Sequence, residues 1–166
     1  MSIATADVMT TQLLSLDPDM TLHEMDMLLV KRGVSGAPVV EDGRLVGVAS
    51  QSDVIRTLWE GQNEPLHPPA YYSSSCAPPL SALEYMARDA RLVGDALVQY
   101  RVRDVMTADP LIARPDEPIQ SVAERMVRDQ IHRLPVVDPE TRELVGIVST
   151  LDLAQAIMRY GLDVPL

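Results

Sequence analysis

Two short motifs in this sequence combine a hydroxyl group and a carboxylate at a spacing that can serve ligand binding. Ser50 precedes Asp53, and Ser149 precedes Asp152, by three residues in each case. Each motif lies between a β-rich run and a helical run, so both groups should lie on one side of the first helical turn, where backbone N–H groups can hold a phosphate oxygen. The same spacing is also typical of an N-terminal helix cap, which needs no ligand. Taken alone, the motif leaves ligand binding and capping open.

The elements that position these motifs occur twice. The run Asp-Val-Met-Thr stands at 7–10 and returns at 104–107. Further identities follow in the same order: Leu14 with Leu111, Pro18-Asp19 with Pro115-Asp116, Val30 with Val127, Pro38-Val39-Val40 with Pro135-Val136-Val137, Leu45-Val46-Gly47 with Leu144-Val145-Gly146, and the two Ser and Asp pairs. Sixteen identities in one ordered series, with a single two-residue insertion, indicate an internal duplication. The sequence therefore divides into repeat one (1–60), a connection (61–101) and repeat two (102–166).

Each repeat predicts the order strand, helix, strand, strand, helix. Apolar residues at three- and four-residue spacing predict helices over 21–31 and 119–128. Two β-rich runs follow each of these helices, with Asp42-Gly43 as a hairpin signal in repeat one, and a last helix begins near Ser52 or Thr150. The fold class is therefore α/β (α+β) with two β-α-β-β-α repeats. Because one repeat is too small to cover its own sheet, we expect the two to pack sheet to sheet about a pseudo-twofold axis.

Composition and charge narrow the possible partners. A net charge of −10 repels polyanions, so neither nucleic acid nor a membrane surface is an expected partner. A small phosphorylated ligand is still compatible with local backbone N–H groups and one or two cations. Cys76 is the single cysteine, which excludes an intramolecular disulfide, and no apolar run approaches the length of a membrane span, so we expect a cytoplasmic protein.

Catalysis and metal binding find little support in the sequence. The three histidines fall in separate elements without ligand spacing, so no metal site is expected. No nucleophile elbow, Walker loop, HExxH or GxGxxG motif is present. The nine methionines are best explained as core residues. We therefore do not expect an enzyme.

Three elements in each repeat resemble the CBS domain, the repeat named after cystathionine β-synthase. These are the Asp-Val-Met-Thr opening, the apolar-Pro-Val-Val strand and the Leu-Val-Gly-x-x-Ser-x-x-Asp ending. The resemblance implies a tandem CBS pair, or Bateman-type module, that binds AMP, ADP, ATP or S-adenosylmethionine as a regulatory ligand between its repeats. It also implies a homodimer and a regulated partner enzyme or transporter, with no catalytic cofactor. A ligand-independent dimerisation or interaction domain is the alternative.

The resemblance also implies two clefts, each with one aspartate that would accept both ribose hydroxyls. The first-choice cleft would contain Thr107, Ile112, Ile131, His132, Arg133, Val48, Ser50 and Asp53. The second would contain Thr10, Ser15, Val34, Ser35, Gly36, Ile147, Ser149 and Asp152. The first cleft is the first choice for a phosphorylated ligand because it would contain His132 and Arg133. The alternatives to ligand binding are a surface ion pair for Arg133 and an ordinary half-buried position for His132.

The connection differs in composition from both repeats. Its proline-rich part, 61–79, predicts an exposed loop. An apolar stripe over 80–100 predicts a helix that packs against the module or against a second copy. An accessory role, such as covering a cleft, is a further possibility, whereas Cys76 is expected to be incidental.

Overall fold

The computed structural model describes residues 3–59 and 90–161 as a mixed α/β fold with two repeats, which confirms the predicted fold class. A short 3-10 helix, Thr5–Asp7, precedes the other elements. The helices are α1 (Leu22–Arg32), α2 (Gln51–Trp59), α3 (Ala90–Gln99), α4 (Val102–Val105), α5 (Ile119–Asp129) and α6 (Thr150–Tyr160). The strands are β1 (Gly36–Glu41), β2 (Arg44–Ser50), β3 (Thr107–Ala108), β4 (Arg133–Val137) and β5 (Leu144–Ser149).

The described chain forms two compact units, and each unit contains segments of both sequence repeats. Unit one consists of residues 3–13, 43–45 and 111–161. Unit two consists of residues 14–42, 46–59 and 90–110. The segment that opens each repeat thus belongs to the unit that holds the β-hairpin of the other repeat.

In unit one, this exchange completes the edge of the β4–β5 hairpin. Thr10 donates its backbone N–H to the carbonyl of Ile147 at 2.9 Å, and Ile147 donates in return at 3.0 Å. On the other edge, Ala113 pairs with β4 through the Pro135 carbonyl and the Val137 amide. The opening segment of repeat one is therefore hydrogen bonded to repeat two.

Unit two has the corresponding arrangement. Its sheet has the order β1-β2-β3, in which Val48 lies opposite Thr107. Leu16 pairs with β1 through the Pro38 carbonyl and the Val40 amide. The predicted opening strands are thus short, a two-residue strand in repeat two and an isolated bridge at Thr10 in repeat one.

The helices follow the predicted periodicity. In α1, Thr21 caps the helix by accepting from the Glu24 amide, and Leu22, Met25 and Leu29 are buried. In α5 the buried residues are Ile119, Val122 and Met126. The β1–β2 turn has positive φ at both Asp42 and Gly43, which is the geometry of the predicted tight hairpin.

The helix predicted over 80–100 is present at Ala90–Gln99 as α3. It packs against α1 and α2, and Leu97 lies against the core cluster of unit two, which is the first of the two predicted alternatives, the module or a second copy. The predicted loop at 61–79, Cys76 and the residues of the stripe before 90 lie outside the described residues.

Two equivalent glycines permit close approach of the exchanged segments. A Cβ atom added to Gly47 would lie 2.7 Å from Met106 Sδ and 2.9 Å from the Thr107 carbonyl oxygen. A Cβ atom added to Gly146 would collide with Met9 Sδ and Cγ. The obstruction at Gly146 is therefore a side chain, whereas at Gly47 it includes the backbone.

We expect Gly146→Ala to lower the free energy of unfolding by about 1–3 kcal/mol through overpacking. In a Met9→Ala background the same change should cost less, because the obstructing side chain is absent. For Gly47→Ala, Met106→Ala should relieve less, since the Thr107 carbonyl remains. Denaturant unfolding of the single and double variants measures both couplings. This packing would be contradicted if the double variant lost as much free energy of unfolding as Gly146→Ala and Met9→Ala lose together.

Candidate functional site

The Ser–Asp motif of repeat two forms a reciprocal helix cap at the start of α6. Asp152 Oδ2 accepts from the Ser149 amide at 2.7 Å and from Ser149 Oγ at 2.5 Å. Ser149 Oγ in turn accepts from the Asp152 amide at 3.4 Å. The capping role considered from the sequence is therefore present, and one carboxylate oxygen is committed to it.

The second oxygen of Asp152 contacts the exchanged segment. Oδ1 accepts from Thr10 Oγ1 at 3.2 Å, and the backbone pairing of Thr10 with Ile147 sets this position. These four residues, Thr10, Ile147, Ser149 and Asp152, were all predicted for the second cleft, and we call them the Asp152 corner. Unit one brings all four together.

The Asp53 corner, consisting of Val48, Ser50, Asp53 and Thr107, is the equivalent in unit two. Asp53 Oδ2 accepts from the Ser50 amide and from Ser50 Oγ, both at 2.7 Å. Its Oδ1 accepts from the Arg56 guanidinium, one helical turn further along α2. Asp53 is 1% exposed, compared with 9% for Asp152. The Asp53 carboxylate is thus more buried and already ion paired.

The difference between the corners originates in the sequence of the two helices. The residue three positions after the aspartate is Arg56 in α2 and Gln155 in α6. An amide side chain carries no charge to neutralise a carboxylate, whereas a guanidinium forms a charge-assisted hydrogen bond with it. Arg56 was not singled out in the sequence, although its spacing from Asp53 was the available signal.

The remaining predicted cleft residues divide between the two units. In unit two, the Ser35 carbonyl accepts from the Gln51 amide at 2.9 Å, and Gly36 lies against Ala49 and Ser50. Ser15 and Val34 are exposed there. Because the Ser35 carbonyl takes the first amide of α2, that N–H group is already paired.

In unit one, the His132 carbonyl accepts from the Thr150 amide at 3.0 Å, and Arg133 lies opposite Ser149 in the β4–β5 ladder. Ile131 is buried, and Ile112 is half-buried. The resemblance implies that these residues share one cleft with the Asp53 corner. It also implies that Ser15 and residues 34–36 share the other cleft with the Asp152 corner. Both groupings stay predictions.

Residues 3–59 and 90–161 contain neither a cluster of metal-ligating side chains nor a membrane-spanning helix. Within these ranges, no three His, Cys, Asp or Glu side chains are grouped so that they could hold a metal ion. None of the helices in the same ranges has the length and apolar character needed to cross a membrane.

The corners predict unequal effects of removing the two carboxylates. Asp152→Ala should lower the free energy of unfolding by about 1 kcal/mol, the usual cost of a lost cap. Asp53→Ala should cost about 2–3 kcal/mol, because it also leaves the half-buried Arg56 without its partner. Chemical denaturation of both variants provides the comparison. Equal losses would mean that Arg56 does not stabilise the Asp53 corner.

Comparison with known proteins identifies the repeat. The model of the CBS domain family matches residues 5–60 and 102–159. The uncharacterized protein MJ1426 of Methanocaldococcus jannaschii is 36% identical over 147 residues, which are 84% of this chain and 83% of that protein.

Solved structures show the same fold. The structure of CBSX2 from Arabidopsis thaliana in complex with AMP has a TM-score of 0.67 and 24% identity, with 96% of this chain and 98% of that chain covered. The CBS domain pair of protein MJ0100, in complex with 5-methylthioadenosine and S-adenosyl-L-methionine, has a TM-score of 0.62 and 20% identity, with 96% and 99% covered. The chain described here belongs to the CBS domain family and is a tandem CBS pair.

Proposed function

We propose that this chain is a non-catalytic sensor that binds an adenine nucleotide or S-adenosylmethionine and transmits its occupancy to a partner protein. The observation that carries the proposal is the Asp152 corner. There, a buried carboxylate commits Oδ2 to a helix cap and directs Oδ1 to the hydroxyl of Thr10. A hydroxyl donor from a ligand can replace the Thr10 hydroxyl without breaking the cap.

The chemistry of the ligands in similar structures supports this assignment. The complexes of CBSX2 and of the MJ0100 pair contain AMP, 5-methylthioadenosine and S-adenosyl-L-methionine. All three molecules contain an adenosine group, and its ribose offers two neighbouring hydroxyl donors. A carboxylate accepts such donors well, since each of its oxygens has two acceptor positions. The ribose is therefore the part of the ligand that we assign to Asp152.

The contacts within each unit favour Asp152 over Asp53 as the residue that binds the ligand. The sequence favoured the cleft of Asp53, because His132 and Arg133 were expected to contribute to it. In unit two, however, Arg56 already occupies Oδ1 of Asp53. A ligand at Asp53 would have to displace a charged partner, whereas one at Asp152 displaces a neutral hydroxyl. We therefore propose the Asp152 corner as the principal site and the Asp53 corner as the weaker one.

Transmission follows from the position of Thr10. Its hydroxyl bonds to Asp152, and its backbone bonds the opening segment of the chain to β5. A ligand that bonds to Oδ1 of Asp152 in place of Thr10 removes the side-chain bond of the opening segment. The binding free energy of the ligand then depends on the position of that segment. Such differential affinity for two arrangements is the requirement for any ligand-driven change that a partner enzyme, a transporter or a second copy could detect.

Isothermal titration calorimetry with AMP, ATP and S-adenosylmethionine tests the proposal. We expect saturable binding of at least one ligand, and at least tenfold weaker binding by Asp152→Asn, because the neutral amide accepts hydroxyl donors less strongly. Asp53→Asn is the matched control and should weaken binding less at the principal site. The absence of heat and of any thermal shift with all three ligands at millimolar concentration would overturn the proposal.

A ligand-independent assembly domain is the second candidate, and exposed apolar side chains on α5 and α6 favour it. Val127, Leu151 and Met158 lie on these helices with 80%, 66% and 87% of their surface exposed. If assembly is the sole function, sedimentation should show a stable dimer whose melting temperature does not change with nucleotide. A melting temperature that rises with AMP or S-adenosylmethionine would exclude assembly as the sole function.

A further inference from the structure

A pocket in unit one extends from the Asp152 corner along α6. Its volume is about 550 Å³, within the usual size range of small-molecule sites. One wall is the opening segment of the chain, at residues 7–9, and the other is α6. Both walls, as the described residues form them, belong to unit one.

The α6 wall places a cation on the same face as the proposed ribose contact. Asp152, Gln155, Ala156 and Arg159 all line the pocket. They follow one another at positions i, i+3, i+4 and i+7, which is one face of a helix. Asp152 and Arg159 are therefore two turns apart, roughly 10 Å along the axis. The long arginine side chain can shorten this separation toward a group attached to a ribose that is held at Asp152.

The guanidinium of Arg159 lies near the ring of its neighbour and away from the carboxylates of the described residues. Its guanidinium carbon lies 5.9 Å from the centre of the Tyr160 ring, within cation–π range. No Asp or Glu side chain among residues 3–59 and 90–161 forms an ion pair with it. Within those residues, the charge of Arg159 is thus not used in a salt bridge.

In the sequence, the corresponding stretch of repeat one has its charged residues in a different order. Arg56 stands where α6 has Gln155, and Glu60 occupies the sequence position that corresponds to Arg159. In α2 the cation is one turn from the aspartate and bonds to it directly. In α6 the cation is two turns away, too distant to neutralise Asp152 and suitably placed for a second group of a ligand.

We propose that Arg159 is the residue that recognises a phosphate group at the Asp152 corner and selects nucleoside monophosphates. This inference rests on the proposed function, in which the ribose is held at Asp152. A guanidinium is well matched to phosphate, with which it forms paired hydrogen bonds. The preference for one phosphate follows from the charge of the pocket, because its lining among the described residues includes two acidic residues, Asp7 and Asp152, and one basic residue, Arg159. Further phosphates would add negative charge without a matching cation.

Calorimetric titration of the full chain with adenosine, AMP and ATP tests this assignment. For the wild type we expect AMP to bind more tightly than both adenosine and ATP. Arg159→Gln should weaken AMP at least tenfold and leave adenosine within about twofold, since only the phosphate contact is lost. Arg159→Lys should recover part of the AMP affinity. Arg128→Gln is the matched control, because Arg128 is an exposed arginine of unit one that pairs with Asp129 outside the pocket.

The outcomes separate the inference from the function on which it rests. If the wild type binds AMP and Arg159→Gln leaves that affinity unchanged, the role of Arg159 is wrong and the sensor function stands. Equal weakening of AMP and adenosine would also overturn the role, because it would indicate a structural effect of the substitution. If the wild type binds none of the three compounds, the role of Arg159 is wrong, and the proposed function stands only if S-adenosylmethionine binds. Thermal melts of all variants check that each is folded.

Discussion

The backbone hydrogen-bonding requirement of two short β-hairpins determines much of this structure. A two-stranded hairpin is marginally stable alone, and its open edges present unpaired N–H and C=O groups. Here the edge of β5 is paired by Thr10, and the edge of β2 is paired by Thr107. Each of these residues comes from the other sequence repeat. The close approach of these segments explains why a glycine is present at both 47 and 146.

The same pairing determines the chemistry of the candidate site. Thr10 can bond to Asp152 because its backbone is fixed against Ile147, so the carboxylate contacts a segment from the far end of the sequence. Asp53 accepts two equivalent bonds from Ser50 but also pairs with Arg56 of its own helix. A single difference of residue type, three positions after the aspartate, thus distinguishes an ion-paired carboxylate at one corner from a carboxylate that bonds to a neutral hydroxyl at the other.

The sequence predicted the local structure well because local interactions determine it. Buried residues at helical spacing located α1 and α5, and Asp42-Gly43 located a turn in which both residues have positive φ. The resemblance named the residues of both corners among its predicted cleft residues, and their role in binding stays a prediction. The Oδ1 partners of the two aspartates were not predicted, and the partner of Asp152 depends on tertiary geometry. Nothing in the spacing of Thr10 and Asp152 indicates that they meet. Arg56 could have been found from its position one turn after Asp53.

The exchange of opening segments also bears on how the duplicated gene arose. A chain with a single repeat would have had a hairpin edge that its own opening segment does not complete, so two identical chains would have had to donate these segments to each other. Fusion of two such chains replaces a bimolecular association with a tethered one, whose effective concentration no longer depends on how much protein the cell contains. After fusion, the two copies could diverge independently, as Arg56 and Gln155 have done. The asymmetry between the two aspartates is a change that a symmetric assembly of identical chains has no means to acquire.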